Sequence, residues 1–303
     1  MTGGEPPRHI TPFGGTRIPA SVPAFPLDPL EVDHIVHDAL FEDRAFEDTT
    51  TIATVLSDRR ARARLVARTD GVIAGVPLAT ATFRLLDDKI SIRVDREDGM
   101  KVARGDSVLY LTGHARSLLS AERVALNFLQ RLSGIATLTR KYVDAVQGTK
   151  AQILDTRKTT PGLRVLEKYA VRCGGGVNYR MDLASAVLIK DNHLAALDGD
   201  VKLAVKRCRE FAPPGTFVQV ECDRMEQVEA AVAAAADAVL LDNMTLESVT
   251  RCVAFATGRT IIEVSGGVTL ATVRQFAEAG VDRISVGAIT HSAPALDLAL
   301  DFE

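Results

Sequence analysis

Phe217-Val218-Gln219-Val220-Glu221, Val239-Leu240-Leu241-Asp242-Asn243, Ile261-Ile262-Glu263-Val264-Ser265-Gly266-Gly267 and Ile284-Ser285-Val286-Gly287-Ala288 are short apolar runs about 21 to 23 residues apart, each closing on polar or glycine residues. Between them lie helix-like segments, 226–236, 246–256 and 270–279, the last followed by Gly280 as a C-cap. Strand, helix, strand at that period predicts parallel strands with helical crossovers. Two earlier runs join the series. Ile153-Leu154 leads into Asp155-Thr156-Arg157-Lys158, and Val187-Leu188-Ile189 leads into Lys190-Asp191-Asn192-His193. Six strands ending in chemically capable residues predict an α/β barrel whose C-terminal loops converge on one site over an apolar interior. A doubly wound open sheet fits six such ends less well.

Upstream, apolar positions from Ser120 to Val146 follow a helical period, with Gly134 expected to interrupt or kink the helix. Before it, alternating apolar positions (Leu65, Ile73, Ile90, Ile92, Val94, Val108, Tyr110, Leu111) predict short strands between turns such as Asp98-Gly99. A first helix is predicted over 30–46, with Leu30, His34, Val36, His37 and Leu40 near one face. Residues 1–29 carry seven of the twelve prolines and read as a loose arm. The chain thus divides into that arm (1–29), an N-terminal α/β unit with its connecting helix (30–140), the barrel (141–290) and a C-terminal segment (291–303).

A net charge of −3 and a pI near 6.1 argue against a nucleic-acid-binding surface. Cys173, Cys208, Cys222 and Cys252 form no C-x-x-C pair, so free thiols in a reducing cytoplasm are expected rather than a zinc or redox site. The longest apolar run, 230–241, is broken by Asp237 and is too short to span a bilayer. The N-terminus has no secretory pattern, so a cytoplasmic location with no membrane partner is expected.

Within 157–190, seven cations (Arg157, Lys158, Arg164, Lys168, Arg172, Arg180, Lys190) face only Glu167 and Asp182. Arg164 and Lys168, four apart, read as a solvated helix face. Arg157, Lys158 and Lys190 end strands, where they suit carboxylate or phosphate oxygens. Gly174-Gly175-Gly176 is either a flexible turn or a backbone cradle for a ligand. Ser265, Gly266, Gly267 and Gly287 follow the last two strands, a frequent phosphate site in barrels. Glu221 and Asp242 end consecutive strands. They either hold Mg²⁺, which tolerates several waters and bridges phosphates, or neutralise Lys190 or Arg157.

As an ordered set, the stretch Ser120–Thr137 with Asp155-Thr-Arg-Lys-Thr-Thr-Pro-Gly-Leu-Arg, Gly174-Gly-Gly, Leu188-Ile-Lys-Asp-Asn-His, Val220-Glu-Cys, Leu241-Asp-Asn and Ser265-Gly-Gly-Val resembles the quinolinate phosphoribosyltransferases. The resemblance runs from about residue 28 to the end. It implies an N-terminal α/β sandwich domain and an incomplete α/β barrel in a homodimer, from which hexamers are also built. It further implies transfer from phosphoribosyl pyrophosphate (PRPP) to quinolinate, releasing pyrophosphate and CO₂. Thr156, Arg157, Tyr179 and Arg180 would then face the pyridine dicarboxylate, with Arg123 reaching in from the partner subunit. Lys158 and Lys190 would hold pyrophosphate, Glu221 and Asp242 the ribose and Mg²⁺, and Ser265, Gly266, Gly267 and Gly287 the 5′-phosphate.

Two positions depart from the family pattern. Asn178-Tyr179-Arg180 replaces the usual Asn-His-Arg, and Gln219 replaces the first Glu of Val-Glu-Val-Glu. Gln219 is expected to point away from Glu221. Tyr179 leaves open a relative that ribosylates another aromatic acid. Other classes consistent with the residues are a Schiff-base lyase using Lys190 and a non-catalytic PRPP sensor.

Overall fold

The computed structural model describes residues 23–303. The N-terminal unit runs α1 (Pro29–Glu42), α2 (Thr49–Thr54), β1 (Arg60–Ala67), β2 (Gly71–Val72), α3 (Val76–Leu86), β3 (Ser91–Val94), β4 (Lys101–Val102), β5 (Ser107–His114) and α4 (Ala115–Ala145). The barrel follows with β6 (Gln152–Leu154), α5 (Arg164–Cys173), β7 (Val187–Ile189), α6 (Asp191–Ala195), α7 (Val201–Phe211), β8 (Val218–Cys222), α8 (Met225–Ala233), β9 (Ala238–Asp242), α9 (Leu246–Ala256), β10 (Ile261–Ser265), α10 (Val273–Glu278), β11 (Arg283–Ser285), α11 (Ala288–His291) and finally β12 (Leu298–Phe302).

Strands β6–β11 form one parallel six-stranded sheet in the order β6-β11-β10-β9-β8-β7. The edges β6 and β7 do not pair with each other, so the barrel is incomplete, and Val177 bridges to Leu154 on the open side. Alternation then sorts the side chains. Ile153, Ile189, Val218, Val220, Val239, Leu241, Ile262, Val264 and Ile284 pack outward with Val228, Val249 and Val273 of the surrounding helices. The intervening residues point inward. Contrary to the expected apolar interior, the barrel holds a buried polar cluster. Gln219 Nε2 donates to Glu263 Oε2 (3.0 Å), and Ser285 Oγ donates to Glu263 Oε1 (2.6 Å), all three buried.

The second core lies between the antiparallel sheet β12-β1-β5-β3 and helices α3 and α4. Its edge strand β12 comes from the segment 291–303, which returns to pair with β1 through Ala67↔Leu298 to Ala63↔Phe302. The expected break at Gly134 does not occur, because α4 runs unbroken through it. A Cβ there would lie 2.1 Å from Pro294 O, so this glycine admits the returning chain against the helix. Gly174 and Gly176 serve the same purpose: Cβ atoms on them would lie 2.5 Å from Ala136 O and 2.8 Å from Thr139 Cγ2 of α4. The glycine run is therefore a close helix contact, not a free turn.

The first helix is shorter than expected and buries Val32, Val36 and Leu40, leaving Leu30, His34 and His37 exposed. An i, i+4, i+8 stripe selects that face. Asp28 and Glu31 cap its start reciprocally (2.9 Å each). Most of the arm, 1–22, lies outside the described residues. Its last part is not loose: Phe25 meets Tyr169 edge-on at 5.0 Å, and Arg172 Nη2 donates to Ala24 O (3.1 Å). No helix among the described residues is long and apolar enough to cross a membrane.

Candidate active site

The strand period that sends Leu154, Leu188, Gln219, Leu240, Glu263 and Ser285 inward also sends inward the next residue of equal parity. These are Thr156, Lys190, Glu221, Asp242, Ser265 and Gly287, one per strand at its C-terminal end. Gln219 therefore shares the inner face with Glu221, contrary to expectation, because residues two apart on a strand point the same way.

At this rim Lys190 Nζ lies 3.1 Å from Glu221 Oε2, with the lysine half-exposed. His193 Nδ1 accepts from Lys190 N (2.9 Å) and holds its backbone at the start of α6. Asp242 Oδ2 accepts from Asn243 Nδ2 (2.7 Å). Glu221 and Asp242 are the two carboxylates here, and no group of three or more His, Cys, Asp or Glu among the described residues gathers to hold a metal. Such a pair suits Mg²⁺ only where the ion keeps waters and shares substrate phosphate oxygens.

Across the rim, Arg157, Arg180 and Lys158 form no ion pair among the described residues. Arg157 Nε is buried without a hydrogen-bond partner. Arg180 is buried, and its Nη1 donates to Ala186 O (3.1 Å). Burial first, and the Arg157 charge beside it, hold the Arg180 guanidinium below its usual value. Lys158 is exposed; its backbone N donates to Thr156 Oγ1 (3.0 Å), and its carbonyl accepts from Thr290 Oγ1 (2.7 Å).

The glycines of the last two loops are conformationally required. Gly266 (φ +87°) and Gly267 (φ +61°) turn in the left-handed region, and a Cβ on Gly266 would lie 2.2 Å from Asn243 Oδ1. A Cβ on Gly287 would sit 3.1 Å from both Lys158 Cδ and His291 Nε2, so the two loops meet closely.

Tyr179 and Lys168 lie elsewhere than expected, and Arg123, expected at a partner's site, lies away from the rim of its own chain. Tyr179 is buried in a cluster with Leu154, Ala186, Phe217 and Ala238; its hydroxyl is sealed from solvent and has no partner among the described residues. Burial pushes that phenol well up. Arg123 lies exposed on α4, lining a cavity of about 480 Å³ with Asp43, Arg44, Glu47 and Ser120 and with none of the rim residues. Lys168, expected on a solvated face, is completely buried and ion-paired with Asp155. Sequence reasoning named Asp155, Asn178 and Glu167 without giving them separate roles, and passed over Arg131 and His291. Glu167-Lys168 and Arg131 carried a signal only as charges inside apolar helices.

A rim that leaves Arg157, Arg180 and Lys158 without an ion pair among the described residues marks this barrel as an enzyme for a multiply anionic small molecule. The family models for quinolinate phosphoribosyl transferase match residues 48–133 (N-terminal domain) and 135–301 (C-terminal domain). The chain belongs to this family. It is 43% identical over 275 residues to a nicotinate-nucleotide pyrophosphorylase [carboxylating] of Mycobacterium leprae, covering 88% of this chain and 95% of that one. Identity to a probable enzyme of the same name in Bacillus subtilis is 39% over 272 residues, covering 90% and 93%. The nicotinate-nucleotide pyrophosphorylase structure from Francisella tularensis matches with a TM-score of 0.86 at 37% identity, covering 93% of this chain and 100% of that one.

Proposed function

We propose that this chain joins quinolinate to PRPP, releasing pyrophosphate and CO₂ and leaving nicotinate mononucleotide. The observation that carries it is the set of unpaired cations, Arg157, Arg180 and Lys158, facing the Lys190–Glu221 pair and Asp242 across one rim. The pyridine nitrogen attacks the ribosyl C1 as the bond to pyrophosphate breaks, and the leaving electrons go to the pyrophosphate oxygen. Lys158 and Lys190 stabilise that departing charge, while Arg157 and Arg180 hold the two ring carboxylates and orient the nucleophile. The nitrogen, now cationic, stabilises the carbanion left when the adjacent carboxylate departs as CO₂, and a proton then takes its place. With Tyr179 sealed behind the rim, the carboxylate that a histidine helps hold elsewhere in the family falls to the arginines.

Mg²⁺, held by Glu221 and Asp242 together with substrate oxygens, would add charge stabilisation to the pyrophosphate. Because Lys190 already pairs with Glu221, the ion is expected to arrive with PRPP rather than to reside in the protein. Lys190 is half-exposed and ion-paired, unlike the desolvated amine that Schiff-base chemistry uses.

Arg123 would complete the site of a second copy in a homodimer. Phe41, Phe46, Ile52 and Leu56, all exposed and flanking in sequence the cavity-lining residues 43–49, favour a covered surface there. The four free thiols suit a reducing cytoplasm.

The test is PRPP- and Mg²⁺-dependent release of CO₂ from quinolinate. Arg157→Ala should raise the KM for the acid, and Lys158→Ala should lower kcat. Mixing Arg123→Ala with Arg157→Ala protein should restore activity through mixed dimers. Consumption of PRPP only with another acid, or not at all, would refute the proposal.

A further inference from the structure

Glu167 and Lys168 are neighbours on α5, opposite in charge, and both wholly buried. Consecutive residues on a helix point about 100° apart, and these two engage different loops. Lys168 Nζ pairs with Asp155 and also donates to Tyr179 O (3.3 Å). Asp155 Oδ1 accepts from Tyr179 N (2.9 Å) and its Oδ2 from Asn178 Nδ2 (2.6 Å), an amide that also donates to Lys168 O (2.8 Å). The chain is thus clamped immediately before Arg180.

Glu167 engages the other side. Its Oε1 accepts from Arg131 Nη2 (2.7 Å) and Thr160 Oγ1 (2.8 Å), and its Oε2 accepts from Thr160 N (3.1 Å). Arg131 Nη2 also donates to Thr290 O (2.6 Å), and Thr290 Oγ1 donates to Lys158 O (2.7 Å). This chain of bonds ends on Lys158 and on the segment that follows Gly287.

A buried ion pair adds little net stability over well-packed apolar groups of the same volume. The wholly buried Lys168–Asp155 pair, beside a buried Glu167 whose partner Arg131 is 31% exposed, therefore points to the geometry these residues impose. We infer that Lys168 and Glu167 are positioning residues with separate duties: Lys168 sets the acid-binding Arg180, and Glu167 sets the Lys158–Gly287 side that takes the phosphates. This rests on the site assignment proposed above. A single helix turn then aligns the two substrates, because both loops are referred to one rigid backbone.

The test is steady-state kinetics with quinolinate and PRPP varied independently. Asn178→Ala loosens the Lys168 clamp without stranding a charge, and Lys168→Met removes its cation. Each should raise the KM for quinolinate by about tenfold or more, leaving that for PRPP within about twofold. Glu167→Gln turns an acceptor oxygen at Thr160 N into a second donor, and should show the reverse pattern. The inference is overturned if either KM pair moves together, or if neither moves. Arg180→Ala separates the two levels. If it leaves the quinolinate KM unchanged, the site assignment fails. If it raises that KM while Asn178→Ala does not, only the positioning inference fails.

Discussion

Tyr179→Phe removes one oxygen atom from the barrel interior and nothing else. In the parent that hydroxyl is buried, with no hydrogen-bond partner among the described residues, in a cluster formed with Leu154, Ala186, Phe217 and Ala238. A buried hydroxyl left unpaired costs about 1–3 kcal/mol, and replacing it by an apolar group of the same shape recovers that cost. The ring keeps its packing, so no cavity opposes the gain. At about 2–4 °C per kcal/mol for domains of 150–250 residues, Tm should rise by several degrees. Differential scanning calorimetry of the two proteins measures this directly. Because the hydroxyl is sealed from the rim, the quinolinate KM should stay unchanged. A Phe variant less stable than the parent by about 1 kcal/mol or more would show that the hydroxyl is satisfied, and a raised KM would show that it reaches the substrate. Either result refutes the burial account.

Gly134→Ala should lower the urea midpoint: its Cβ would lie 2.1 Å from Pro294 O. Overpacking against backbone costs about 1–3 kcal/mol and outweighs the roughly 1 kcal/mol that alanine gains in a helix; a raised midpoint would deny the close approach. Burial is the main cause that pushes the Glu263 carboxyl above its usual 4.5, against the donors Ser285 and Gln219. A raised folded value means that the stabilisation is complete below the unfolded value and is lost as pH rises through the folded one. Glu263→Gln should therefore gain on the parent as pH rises above the ordinary carboxyl value of 4.5, and a pH-independent difference in urea midpoints would contradict this. Deleting 296–303 removes β12, whose five residues pair with β1. The N-terminal sheet should lose its protection in hydrogen exchange, whereas unchanged protection of β5 and β1 would show that β12 is dispensable.

Where the chemistry is local to a strand, it could be read directly from the residues. Lys190, Glu221, Asp242, Ser265 and Gly287 each follow an apolar run, the last four at a spacing of 21 to 23 residues, and side-chain alternation sends them to one rim. The free cysteines and the end of the central helix were legible for similar reasons, although that helix begins five residues before Ser120 and runs unbroken through Gly134. Gln219 was misjudged even so, although the same alternation applied to it.

What no local pattern contained is which side of a helix meets another element. Lys168 has the spacing of a solvated residue, yet it is wholly buried, because the loop bearing Asn178 and Tyr179 folds over it. Gly134 and Gly174 look like flexible points, but each is the place where another segment passes at contact distance. The final segment has no partner within its own stretch and becomes a strand only by meeting β1, more than two hundred residues earlier. Periodicity in one chain specifies direction within an element. Contact between elements depends on how the whole chain closes, and that decided which charges stand at the rim and which lie behind it holding them in place.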